Sequence, residues 1–302
     1  MCERSSGSWG SRRSTHPSPY VALWSRLDGF RKEQLTHALA RGTVVKAWPI
    51  RGTLHVTTRE DFAHLQVGYL ESLRGRRLDA DLDALRAATP SHPLTAKELF
   101  AIAGEALGTD DRWTIAFALR RIPTVRTPPE GPWPHTKPTP LLLWTEPLPP
   151  ADGAVRRVVR AYLAAYGPAT RQDVEQFTGF RLGQIDPALA GMRELGDGLY
   201  DVPRGRLVSA DTPAPPRFLP PFDSIILAHR DRSRILPPDY YETVIRRKNA
   251  TTLATFTVDG FVAGSWRMDG SKLRVEPFAP VPRKARAELE AERERFEAFY
   301  RS

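Results

Sequence analysis

The sequence predicts a mainly helical α+β chain in which winged-helix units follow one another and a β-rich C-terminal domain ends the order. Three observations predict it. Helical runs are repeatedly closed by short strand pairs. Glycine or Gly-Pro separates helices in the manner of helix-turn-helix punctuation. Beyond residue 216 the pattern becomes strands grouped around the Asp259-Gly260 turn.

Residues 1–18 lack hydrophobic periodicity and read as a disordered or mis-called N-terminus. The first unit spans 19–92. A helical run at 31–41 feeds a strand at 43–48, a turn at 49–52 and a returning strand at 53–58, with helices at 60–73 and 79–88. The second unit, 93–150, opens on Thr95 and Glu98, spaced as a capping box for a helix reaching Leu107. A helix at 113–121 follows, then strands at 124–127 and 141–145 separated by a proline-rich stretch. The third unit, 151–212, has helices at 155–166, at 170–177 with Thr170 as cap, and at 182–192. A hairpin of 198–202 with 206–208 closes it. A Pro-rich linker at 213–216 opens the 213–302 domain. It carries strands at 224–229, 251–258, 261–268 and 272–277, a helix at 240–247 and a terminal amphipathic helix at 284–300. On that last helix Leu289, Phe296 and Phe299 point inward.

The formal charge of +9, from 44 Lys and Arg against 35 Asp and Glu, favours a polyanionic partner. Arginine predominates among the cations, which suits bidentate phosphate contacts. No apolar run approaches the ~20 residues of a membrane span, so nucleic acid is the expected partner and a membrane is not. The single cysteine, Cys2, excludes an intrachain disulfide and a cysteine metal cage. The histidines are scattered without companion ligands, so neither a metal nor a cofactor is expected. A cytoplasmic monomer is the default expectation.

Trp48, Arg51 and His55 crowd the first hairpin, where a structural turn would favour Gly, Asn or Asp. Two readings stand: a DNA-contacting tip, or a core tryptophan beside a solvated arginine and a satisfied histidine. Asp223, Arg230 and Arg232 form a second group. On a strand the two arginines would share a face and meet successive phosphates. Alternatively, Asp223 pairs with one of them to hold the last domain in place. The basic run Arg74-Gly75-Arg76-Arg77 reads as a solvated helix end in preference to a DNA clamp, and Pro132-Trp133-Pro134-His135 as a packed loop in preference to a DNA-facing one.

Three blocks then carry a resemblance. They are P-Y-V-A-L-W-S-R-L from Pro19 with W-P-I-R-G-T-L-H from Trp48, L-P-P-F-D-S-I-I-L-A-H-R-D-R-S from Leu219, and V-D-G-F-V-A-G-S-W-R from Val258. Their order and spacing resemble the AlkZ/YcaQ-like family of winged-helix DNA glycosylases, from about Ser18 to the C-terminus. The resemblance implies a C-shaped arrangement and DNA carrying bulky alkylated purines or interstrand crosslinks. Alkylation at purine N7 or N3 places positive charge on the base and weakens its bond to the sugar. An enzyme then has to position a water and stabilise an oxocarbenium-like sugar. The resemblance assigns that work to a Gln-x-Gln or Gln-x-Asp motif shortly before Pro19. Here that place reads Ser11-Arg12-Arg13-Ser14-Thr15-His16, and the first glutamine is Gln34. No catalytic residue is assigned. A misassigned start, a truncated paralogue and a DNA-binding protein that does not cleave all remain open.

Overall fold

The computed structural model describes residues 18–73, 81–130, 138–209 and 211–302. The basic run at 74–77 and the Pro132–His135 stretch lie outside the described residues. Contacts divide the chain into two compact units, each gathered from separate segments.

The first unit comprises Leu35–Arg160 and Thr178–Leu189. Helix α2 (Lys32–Ala40, preceded in the chain by α1, Ser18–Trp24) leads into β1 (Val44–Ile50) and β2 (Thr53–Thr58). Helices α3 (Arg59–Ser72), α4 (Leu82–Ala88), α5 (Ala96–Ala106) and α6 (Arg112–Leu119) follow, then β3 (Thr124–Arg126), β4 (Leu141–Leu143) and the first part of α7 (Ala151–Tyr166). The two strand pairs do not stand apart as the sequence suggests. They join in one antiparallel sheet of order β2-β1-β3-β4.

Strand β1 runs two residues past its expected end. Pro49 and Ile50 stay in the strand, and only Arg51 and Gly52 make the turn, both at positive φ (50° and 67°). That is the backbone a two-residue hairpin requires, and Arg51 adopts it at a steric cost glycine avoids. A register shift between Ala47 and Ile50 absorbs Pro49, which cannot donate to a central ladder. Alternation along β1 buries Val45 and Ala47 against Phe62 of α3 and Trp144. On the helical side, Leu85, Leu99, Ile115 and Leu119 form a second core with Leu141, against which Trp48 packs. The capping box holds as expected: Glu98 N donates to Thr95 Oγ1 at 3.2 Å and Thr95 N to Glu98 Oε2 at 2.7 Å.

The second unit contains α1, the remainder of α7, β5 (Ala169–Thr170) and α8 (Arg171–Thr178), whose last residue belongs with α9 (Leu182–Ala188) to the first unit. Thr170 and Asp173 cap α8 reciprocally. Helix α9 stops short of Met192. It contains Pro187, and Gly191 beyond it has φ 82°.

Strands β6 (Arg193–Glu194) and β7 (Leu199–Asp201) correct the expected third hairpin. Residue 206–208 backbone forms no strand, and β7 pairs instead with β5 and β6. The turn is Gly196-Asp197-Gly198, all at positive φ. Buried Asp201 explains the departure of the chain after β7. Its carboxylate accepts from Val202 N at 2.7 Å and sits where any Cβ on Gly205 would fall. The chain turns there, leaving Leu207 and Val208 exposed.

The C-terminal part of this unit is an antiparallel sheet of order β13-β12-β11-β8: β8 (Arg217–Leu219), β11 (Thr255–Val258), β12 (Phe261–Asp269) and β13 (Lys272–Pro277). Terminal helix α12 (Arg283–Arg301) brings Phe296 against Phe218 and Trp266 at centroid distances of 5.5 and 4.9 Å. Trp24 of α1 meets Phe296 edge-on at 5.0 Å and stacks on Phe299. Both phenylalanines are buried as the helical periodicity predicts, whereas Leu289 is half-buried. The Asp259-Gly260 turn has both φ angles positive, as expected.

Two other expectations fail here. The strand at 224–229 is a helical turn, α10 (Ser224–Leu227), and the helix at 240–247 shrinks to α11 (Tyr241–Val244). After α11 the chain pairs β9 (Ile245–Arg246) with β10 (Thr251–Thr252) in a small separate ribbon, so the expected 251–258 strand is split.

Gly68 on α3 is the most closely packed glycine among the described residues of the first unit. A Cβ there would lie 2.2 Å from Cζ of Phe180, itself buried. Gly68→Ala is expected to destabilise by about 1–3 kcal/mol through overpacking. Urea denaturation reads this directly, and Phe180→Leu in the same background should recover part of the loss.

Candidate nucleic-acid interface

The hairpin tip of the first unit is built on two glycines that allow arginines to lie close. Cγ of Arg51 sits 2.8 Å from where a Cβ on Gly179 would be, and Gly179 has φ 75°. The Arg120 guanidinium, at the C-terminal cap of α6, lies 3.3 Å from the corresponding point on Gly52. Arg51 is exposed, while Nε of Arg120 is buried and has no hydrogen-bond partner among the described residues. Two cations therefore flank the turn.

Further along the sheet, pairing sets Lys46 directly opposite Arg126. Burial, and then the Arg126 charge, lower the Lys46 ammonium to about 8. Arg126 stacks over Trp48 at 4.6 Å and donates to the Thr139 carbonyl. An anion at this face would offset the repulsion between the two cations, because opposite charge within ~4–6 Å favours the charged form.

His55 does not join Trp48. The register pairs Ala47 with both His55 and Val125, and Lys46 with Arg126, so His55 lies on the sheet face opposite Trp48 and Arg126. Its shared face with Thr53 holds: Thr53 Oγ1 is 2.7 Å from His55 Nε2. Thr53 Oγ1 also lies 3.2 Å from the Ile50 carbonyl, which it can donate to, an arrangement that fits a proton on His55 Nε2. Burial and the neighbouring Arg51 charge push the imidazole down to about 4. It is neutral at physiological pH.

In the second unit, Arg230 and Arg232 do not share a strand face, since no strand forms. Nor does Asp223 pair with either. Its buried carboxylate binds Arg26 in a two-point fork, Nη1 to Oδ2 at 3.0 Å and Nη2 to Oδ1 at 2.5 Å, and caps α10 through Ile225 N at 2.9 Å. Arg230 is exposed at its side chain, while its backbone N donates to Asp173 Oδ1 at 2.7 Å. Arg232 is half-buried and donates to the Tyr241 hydroxyl at 2.6 Å. His229 is kept low by burial and by Arg234, with Asp173 as its carboxylate neighbour at 3.7 Å.

A family model described as DNA glycosylase AlkZ-like matches residues 13–299. The chain belongs to the AlkZ-like DNA glycosylase family. A curated relative, the interstrand DNA cross-link repair glycosylase of Streptomyces sahachiroi, is 25% identical over 148 residues. That match spans 45% of this chain and 40% of the relative, less than half of its length. Among solved structures, Streptomyces sahachiroi DNA glycosylase AlkZ superposes with a TM-score of 0.68 at 20% identity, covering 91% of this chain and 87% of that one. This likeness is one of fold.

Sequence reading missed Lys46, Arg120 and Arg126 of this AlkZ-like chain. Lys46 and Arg126 meet only through the β1–β3 ladder, which no local pattern announces. Arg120 had a usable signal: it ends a helix immediately before a strand, near the short connections that return to the sheet.

The depressed His55 pKa gives a testable pH dependence. The unfolded state binds the His55 proton below about 6.5, whereas the folded state resists until about 4. Stability from this residue is therefore complete above pH 6.5 and lost as pH falls toward 4. His55→Gln should narrow the stability difference between pH 7.5 and pH 5 in denaturation experiments. An equal pH 5 loss in both proteins would refute the assignment.

Proposed function

We propose that this AlkZ-like protein binds duplex DNA through winged-helix elements and attacks the N-glycosidic bond of bulky alkylated purines, interstrand crosslinks included. The observation that carries the reading is the family match across nearly the whole chain, joined by a hairpin tip flanked by Arg51 and Arg120. The sheet β5-β7-β6, with helices α7, α8 and α9 interleaved in the chain order, supports a winged helix in the third segment. What the curated Streptomyces sahachiroi relative is named for supports DNA repair as the setting.

In this reading Arg51, Arg120, Lys46 and Arg126 of the first unit neutralise backbone phosphates; Arg230 of the second unit is an exposed cation in its own right. These contacts position rather than specify. The lesion supplies much of the chemical driving force, because the cationic base leaves as a neutral purine once water bonds to the anomeric carbon. The protein has to hold that water and shield the developing positive charge on the sugar. His55, neutral and held by Thr53, is a hydrogen-bonding group here and not a cation.

A second reading, DNA binding without cleavage, is favoured by one observation: no glutamine precedes Gln34. Two measurements separate the readings. Affinity for a duplex should fall about a thousandfold between 50 and 200 mM salt if ~6 phosphates are engaged. Duplex carrying N7-alkylguanine should yield abasic sites on incubation. Steep salt dependence without abasic sites establishes the second reading, and salt-insensitive binding removes both.

A further inference from the structure

The second unit holds a cationic pair that neither the family match nor the hairpin site accounts for. Arg232 Nη1 and Arg247 Nη2 both donate to the Tyr241 hydroxyl, at 2.6 and 3.0 Å. Their guanidinium carbons lie 5.6 and 5.3 Å from the centroid of the same ring. Among the described residues neither guanidinium forms an ion pair with a carboxylate, and Nε of Arg232 is buried with no partner. Glu242 acts on Arg247 only as the last and weakest influence on it.

Two like charges brought onto one neutral oxygen repel each other. A phenol oxygen satisfies only one donor from each, out of the five that a guanidinium carries. The complement is a compact anion with several acceptor oxygens, which bridges two guanidinium forks far better than a carbonyl or hydroxyl does. The surroundings reinforce the sign. Arg247 follows Arg246 and precedes Lys248 on the exposed loop between β9 and β10. Ala250 closes that loop at φ 45°, a backbone rarely adopted by non-glycine residues.

We propose that Arg232, Tyr241 and Arg247 form a clamp for one backbone phosphate of duplex DNA. This deepens the DNA-binding reading above and rests on it. Tyr241 is a shared support: its hydroxyl accepts from both guanidiniums and its ring lies against both. Arg232 thus contacts DNA with Arg247 as its partner, in place of the Arg230 partner a strand would have supplied.

The test uses the full chain and a labelled duplex of about 20 base pairs, with binding followed by fluorescence anisotropy across a salt series. Arg247→Gln removes one charge from an exposed position. It should reduce the magnitude of the log–log salt slope by about 0.9, with affinity lower by roughly eightfold at 0.1 M salt. Tyr241→Phe retains both charges and the ring, so it should weaken binding while keeping the wild-type slope. Arg274→Gln, an exposed arginine paired with Asp269 on the far hairpin, should change neither. Wild-type slope and affinity for Arg247→Gln would overturn the clamp while leaving the DNA reading intact. A lowered melting temperature with an unchanged slope would make the cluster a packing feature and overturn it as well. If the wild-type chain shows no salt-dependent binding, the DNA reading fails and the clamp with it.

Discussion

The second unit depends on buried carboxylates that must find partners. Burying an ionised carboxylate costs several kcal/mol unless it is paired and hydrogen-bonded. Asp223 meets that demand with the Arg26 fork and the N-terminus of α10. Asp173 does so with Thr170, the backbone of Arg230 and His229. Together they fasten the segment from Asp223 to Arg230 at both ends, to the turn that follows α1 and to the α8 cap. Tyr162 adds a third tie by donating to the Ala228 carbonyl at 2.8 Å. With its ends held, this segment sends Arg230 outward and directs Arg232 onto Tyr241.

The hairpins were legible because turn chemistry is local. Arg51-Gly52 and Asp259-Gly260 each needed two positive φ angles, and both lie within turns expected from the sequence. The capping box at Thr95 was readable for the same reason. The 224–229 strand failed because Ser-Ile-Ile-Leu-Ala is a short apolar run, which periodicity cannot divide between strand and buried helix. A cue was present in Asp223, an acidic residue before an apolar run and therefore a helix cap. The third hairpin failed for a tertiary reason. Strand β7 has two partners, one of them β5, thirty positions upstream, and no hairpin pattern announces that.

The candidate site was partly legible. Arg51 stands exposed at the tip, as its sequence context suggested. Trp48 and His55 proved to be on opposite faces, since the register that separates them depends on pairing with β2 and β3. Trp48 is half-buried against the helical core and forms a stacking surface for Arg126. Lys46 with Arg126, and Arg232 with Arg247, are pairs that only tertiary structure assembles. In both cases cations converge beside an aromatic ring, an arrangement suited to a polyanionic ligand.

The central claim is that carboxylate pairing, not strand pairing, holds the segment that carries Arg230 and Arg232. A double-mutant cycle on Arg26→Ala and Asp223→Ala, read by urea denaturation, tests it most directly. The expected result is a coupling of about 1–3 kcal/mol, with Arg26→Ala the more damaging single change because it strands a buried carboxylate. Additivity to within about 0.5 kcal/mol would mean that the two residues do not sense each other, and would contradict the claim.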